Sequence, residues 1–211
     1  MKTLDLWFEF GSTYSYPAVA RARPVADAAG IEVRWQPFLL GPLFADQGLT
    51  DSPFNLYPAK GRYMWRDMER RCEGFGLPFR RPTAFPRNGL LAARIACTGL
   101  GSDWLPDFVL AVYTANFAED RDIASPEVLA GILGAMGLDA EAVVREAGSP
   151  ANKQRLRDQT ERARTLGIFG APTFAVGDEL FWGHDRLGDA VAWAALAGEP
   201  TSPLTTREGK P

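Results

Sequence analysis

A chain of 211 residues with 46% apolar composition can bury a sizeable core as one domain, or as one domain carrying a large insertion. Its formal net charge of −3 offers no basis for a nucleic-acid or acidic-membrane partner. The two cysteines, Cys72 and Cys97, form no C-x-x-C, and His184 is the single histidine, which excludes a dithiol redox motif and a histidine-rich metal site. Residues 1–10 carry two acids and no small-residue cleavage site, and no apolar run is long enough to span a bilayer, so a cytoplasmic location is expected.

Leu4, Leu6, Phe8 and Phe10 alternate with Asp5 and Glu9, which predicts a first strand over 4–10 with the acids on the opposite face. Gly11-Ser12-Thr13 interrupts the pattern. Tyr14 to Ala29 then reads as an alanine-rich helix stopped by Gly30, and Ile31 to Pro37 as a second strand. Strand, helix and strand within so short a span make a βαβ unit with parallel strands. Phe38 to Pro58 is rich in Gly, Pro, Asp and Asn and is expected to be an irregular, functional loop.

Helical spacing follows. Met64, Trp65, Met68 and Cys72 recur on one face, as do Val128, Leu129, Ile132, Leu133 and Met136. Ser125-Pro126 is a start signal for the latter helix, with Ser as cap and Pro at the first helical position. Helices are also predicted over 88–97, 104–117 and 153–166. Thr173 to Val176 and Glu179 to Trp182 read as strands joined at Gly177-Asp178, with a last helix over 186–196 and a frayed tail after Glu199. Both cysteines fall in helical segments and read as small buried apolar residues.

A βαβ unit, about a hundred helical residues and an αββα unit together predict an α/β, thioredoxin-like fold with a large all-helical insertion. The expected boundaries are 1–40 plus 165–199 for the thioredoxin-like domain and 41–164 for loop and insertion. Pro172 stands before the third strand. It can be an edge or turn residue, but in this architecture it is read as cis, exposing the backbone of Ala171 to a peptide-like ligand. Ser12 lies where the first strand gives way to helix, a position that stabilises a thiolate. Its hydroxyl can cap the helix, or it can donate to a thiolate brought by a cofactor.

Four motifs occur in order: Phe8-Glu9-Phe10-Gly11-Ser12-Thr13-Tyr14-Ser15-Tyr16, Pro58-Ala59-Lys60-Gly61-Arg62-Tyr63, Phe169-Gly170-Ala171-Pro172-Thr173, and Phe181-Trp182-Gly183-His184-Asp185-Arg186-Leu187. Together, from about Leu4 to Leu196, they resemble the 2-hydroxychromene-2-carboxylate isomerases, relatives of kappa-class glutathione transferases and of DsbA-like oxidoreductases. The resemblance implies glutathione as cofactor, with Ser12 facing its sulfur and Ala171, ahead of Pro172, pairing with its backbone. It implies that Asp185 and Arg186 bind the γ-glutamyl end and that Lys60 meets the glycyl carboxylate or the substrate acid. Asn55 and Asn88 are further pocket candidates for substrate. Outside the motif, Asp185 reads as a helix cap, and Arg186 and Lys60 as solvated charges. The chain departs from the family pattern at Glu9, where aspartate is common, at Thr13, where proline is common, and at His184, where Gln or Ser is usual.

The implied activity interconverts 2-hydroxychromene-2-carboxylate and trans-o-hydroxybenzylidenepyruvate, a step in bacterial breakdown of naphthalene-type aromatics. The partners would be a small aromatic substrate and glutathione, with a homodimer left open and neither nucleic acid nor membrane expected. A kappa-like glutathione transferase is the alternative among enzymes. A thioredoxin-fold binding module without catalysis is the alternative outside them, and Ser12 with no C-x-x-C disfavours a DsbA-like oxidoreductase.

Overall fold

The computed structural model describes residues 2–196; the expected fraying after Glu199 and the last residues of the expected thioredoxin-like segment lie outside the described residues. The sheet is built from β1 (Lys2–Phe8), β2 (Ile31–Pro37), β3 (Thr173–Val176) and β4 (Glu179–Trp182) in the order β2-β1-β3-β4. β1 pairs with β2 in parallel and with β3 antiparallel, and β3 pairs antiparallel with β4. Helix α1 (Ser15–Asp27) makes the β1-to-β2 crossover. The insertion supplies α2 (Leu40–Asp46), α3 (Pro53–Leu56), α4 (Pro58–Phe75), α5 (Leu90–Thr98), α6 (Leu105–Phe117), α7 (Pro126–Ala135), α8 (Ala140–Ala147) and α9 (Pro150–Thr165). A 3-10 turn at His184–Arg186 leads into α10 (Leu187–Leu196). This is the thioredoxin-like architecture with a helical insertion. No described helix is long and apolar enough to cross a membrane.

The expected strand bounds for β2, β3 and β4 agree with the structure, and three departures have physical causes. β1 stops at Phe8 rather than Phe10, because Glu9 to Ser12 turns away from the sheet. The face that carries Asp5 is covered too: Trp7 is fully buried in a second cluster with Phe38, Leu40, Leu43 and Ala175. Sheets flanked by helices are covered on both sides. Asp5 is buried there because Arg34 grips its carboxylate through two bonds of 2.7 and 2.8 Å, and Gln36 donates a third.

The turn-rich 38–58 stretch is partly helical rather than irregular. Leu40 and Leu43 sit three apart and carry α2 into the Trp7 cluster. Ser52 accepts from the Phe54 N–H and Pro53 opens α3. The same Ser-Pro signal starts α7 as predicted, and starts α9 at Pro150, ahead of the expected residue 153. Helix α8, capped by Asp139, was not anticipated.

The larger core runs without a break from the sheet into the insertion. Leu4, Leu6 and Phe8 of β1 share a cluster with Met64 and Met68 of α4 and with Phe108 and Val112 of α6. Cys72 and Cys97 belong to it as free, fully buried thiols. Burial pushes Cys72 up to about 11 and Cys97 up to about 12. A thiol reagent at pH 8 should therefore leave the folded protein unlabelled and modify both cysteines in denaturant, counted by the released chromophore. Rapid labelling of the native protein would contradict this packing.

Candidate functional site

The site grows from the turn that follows β1. The Ser12 N–H donates to the Glu9 carbonyl at 3.0 Å, closing a four-residue turn. Helix α6 clamps it: Tyr113 donates its hydroxyl to the Glu9 carbonyl at 2.7 Å and Asn116 its amide to the Phe10 carbonyl at 3.2 Å. Asn116 is in turn held by Arg87, whose guanidinium also forms a largely buried ion pair with Asp120 at 2.5 Å. Helix α1 starts at Ser15 with Tyr14 as cap residue and no side-chain cap, so Ser12 does not cap it. Instead the Ser12 hydroxyl donates to the Ala171 carbonyl at 2.8 Å. Thr13 is buried and donates to the sulfur of Met64.

The second wall is the entrance to β3. The Ala171–Pro172 peptide is cis, as expected, and Phe85–Pro86 is a second cis bond. The Gly183 N–H donates to the Pro172 carbonyl at 2.9 Å, which ties this entrance to the start of the 3-10 turn. Gly183 has φ +114, a backbone conformation that favours glycine, with the Asp185 carboxylate close beside it. Gly170 lies under the Trp182 indole, where a Cβ would meet Nε1 at 2.5 Å. Trp182 and Phe169 are exposed and in contact, with ring centres 4.9 Å apart.

Between these walls and the start of α4 opens a cleft of about 1400 Å³. Ser12, Lys60, Asn88, Ala171, Pro172, Asp185 and Arg186 all line it, although they come from distant parts of the chain. Asn55 does not: its amide is committed to the Asp51 carboxylate at 3.0 Å and to the Phe85 carbonyl at 3.2 Å. Asn88 lines the cleft while accepting from the Leu90 N–H. Lys60 occupies the first turn of α4, which has no side-chain cap, and its ammonium sits 4.8 Å above the Tyr57 ring. It makes no salt bridge among the described residues, so a cation and free helix N–H groups stand together, a combination that attracts an anion. Arg186 bonds to Asp189 at 3.0 Å and lies 3.9 Å from Asp185.

Sequence reading missed a polar cluster on the cleft floor. Tyr14 donates to Asp67 at 3.1 Å, and Arg70 and Arg71 each lie 3.5 Å from the same carboxylate. His184 is buried and stacks on Tyr14, with centres 5.4 Å apart and planes 9° from parallel. Burial, then the Asp67 charge, pushes the Tyr14 phenol up, and burial pulls the His184 imidazole down. Both therefore stay neutral at pH 7. The Glu9 carboxyl, which accepts from the Gly11 N–H at 3.0 Å, is pushed up to about 7 by burial, against the lowering effect of the Gly11 and Ser12 N–H groups. Glu9 and His184 had a sequence signal as departures from the family pattern. Asp67 and Arg71 had none, since they read as ordinary helix charges.

The description of a DSBA-like thioredoxin domain matches residues 3–191. The 2-hydroxychromene-2-carboxylate isomerase of Sphingobium xenophagum is 30% identical over 186 residues, covering 88% of this chain and 94% of that protein. Glutathione S-transferase kappa 1 of Homo sapiens is 24% identical, with 88% of each chain covered. A solved structure of 2-hydroxychromene-2-carboxylate isomerase superimposes with a TM-score of 0.83 at 24% identity, covering 93% of this chain and 97% of that one.

The raised Glu9 value has a consequence for stability. In the unfolded chain Glu9 loses its proton near its ordinary value of 4.5, whereas in the folded chain it keeps it to about 7. Its contribution to stability is thus complete below pH 4.5 and is lost as the pH rises through 7. Glu9→Gln, which cannot titrate, should gain on the parent protein between pH 4.5 and 7.5, by a few degrees of melting temperature on the order expected for this size. A constant difference across that range would show that Glu9 titrates normally.

Proposed function

This chain belongs to the DSBA-like thioredoxin-domain family and is kin to the 2-hydroxychromene-2-carboxylate isomerases, and from that premise we propose a glutathione-dependent isomerase of a small conjugated aromatic acid. The reaction we assign is the interconversion of 2-hydroxychromene-2-carboxylate and trans-o-hydroxybenzylidenepyruvate in the breakdown of naphthalene-type aromatics, in the cytoplasm. The observation that carries the reading is the Ser12 hydroxyl, aimed at 2.8 Å onto the carbonyl of Ala171 just ahead of cis-Pro172. That position faces the start of α1, where a redox relative would need a cysteine and this chain has none.

The donor set fits a peptide thiol. Ser12 and the Ala171 carbonyl are already paired with each other, so binding can exchange one bond for two. The hydroxyl turns to the sulfur, and the freed carbonyl accepts a peptide N–H. Lys60 at the start of α4 receives a carboxylate, and the exposed Asp185 takes an ammonium group. Arg186 can turn to a second carboxylate, because its exposed pair with Asp189 contributes little. Phe169, Trp182 and Tyr63 offer aromatic surface to a flat ring. When bound, glutathione supplies a sulfur nucleophile that lets a conjugated double bond rotate without any exchange of electrons.

Ser12→Ala tests the assignment. A hydrogen bond to a charged group contributes about 1.5–3 kcal/mol, so turnover should fall roughly ten- to a hundredfold. The pKa of the bound thiol, titrated by thiolate absorbance, should rise. Because Ser12 caps no helix, stability should drop only by the ~1 kcal/mol of one lost neutral bond. Unchanged turnover and thiol pKa would remove Ser12 from the mechanism. Consumption of glutathione during turnover would instead identify a transferase.

A further inference from the structure

Glu9 is a half-buried acid without a partner in charge among the described residues. Its carboxylate oxygen Oε2 accepts from the Gly11 N–H, its Oε1 lies beside Gly89, and the residue lines the cleft. Glu9 and Ser12 are the first and last residues of one turn, which holds their α-carbons within about 7 Å. Every element packed around the carboxyl has been accounted for by something else. From α6, Tyr113 donates to the Glu9 backbone and its phenol is pushed well up by burial and then by the Glu9 charge, while Asn116 is neutral. From the segment before α5, Arg87 turns its guanidinium to Asp120 and Asn116. Glu9 forms no salt bridge among the described residues. A structural acid in such a place would be paired; an unpaired one at the wall of a cleft is suited to exchange protons.

We propose that the Glu9 carboxylate accepts the proton of the thiol that binds beside Ser12 and returns it when that thiol leaves. This rests on the glutathione reading above. The S–H bond breaks, an O–H bond forms on the Glu9 carboxyl, and the reverse occurs on release; no oxidant or reductant takes part. The transfer makes the sulfur anion without leaving a second negative charge beside it. The position of the carboxyl near neutrality, caused by burial, matches it to a thiol of lowered pKa.

The test compares the full-length protein with Glu9→Gln, which keeps an acceptor for the Gly11 N–H, and with Glu9→Asp. Glutathione binding at pH 8 is followed by calorimetry in buffers of different ionisation enthalpy, and bound thiolate by its absorbance. The parent protein should form thiolate with almost no proton released. Glu9→Gln should either release up to about one proton per glutathione or bind it with markedly less thiolate, and its turnover should fall roughly a hundredfold. Glu9→Asp should recover part of both. A Glu9→Gln protein that binds glutathione with the parent's thiolate and the parent's proton balance overturns the proposal while leaving the isomerase reading intact. A parent protein that binds no glutathione overturns both.

Discussion

A chain that turns away from a sheet leaves carbonyls that need new donors, and the turn after β1 finds them in the insertion. The Glu9 carbonyl takes the Tyr113 hydroxyl and the Phe10 carbonyl takes the Asn116 amide, both from α6. These two bonds fix the turn that presents Ser12 from the side of α6. Behind them, Arg87 bonds both to Asn116 and to Asp120, so the clamp is itself held by an ion pair with little exposure. The helical insertion is therefore part of the site and not only a cover for the sheet.

That clamp explains why the two halves of the cleft meet. β1 lies between β2 and β3 and its register with β3 pairs Trp7 with Thr173. The turn after β1 and the Ala171–Pro172 entrance to β3 are thus at the same edge of the sheet, close enough for the Ser12 hydroxyl to reach the Ala171 carbonyl. The Gly183 N–H then joins the Pro172 carbonyl to the turn that carries His184, Asp185 and Arg186. Strand pairing, one serine hydroxyl and one backbone bond thus hold these three segments together.

The electrostatics of the cleft divide by depth. On its floor, burial keeps Tyr14 and His184 neutral and brings Glu9 close to neutrality, because ions are poorly solvated there. At its rim, Lys60, Asp185 and Arg186 are exposed and charged. Such an arrangement suits a ligand whose charged ends stay at the rim while its reacting atom enters a less polar interior, where each hydrogen bond counts for more.

The amino-acid sequence by itself determined the order of the strands and of most of the helices, the parallel βαβ start, and the absence of a dithiol. These are local matters: alternation in Ile31–Pro37, Ser-Pro at residue 125, and a missing cysteine are all legible within a few residues. The short helices between Phe38 and Pro58 were not, since their turn-forming residues outweigh a two-residue apolar signal that acquires meaning only against Trp7. Only the tertiary structure decided what each polar group touches. Ser12 can be read as a cap or as a donor to a thiolate, and in the fold it bonds to a carbonyl 159 residues away. Asn55 looked like a pocket residue, yet is tied to Asp51 and Phe85. Glu9 reads as the polar face of a strand, yet its carboxyl folds back onto the Gly11 N–H beside Gly89, 80 positions later. A hydrogen-bond partner and a dielectric are properties of the packed neighbourhood, and nothing within a few residues of these positions specifies them.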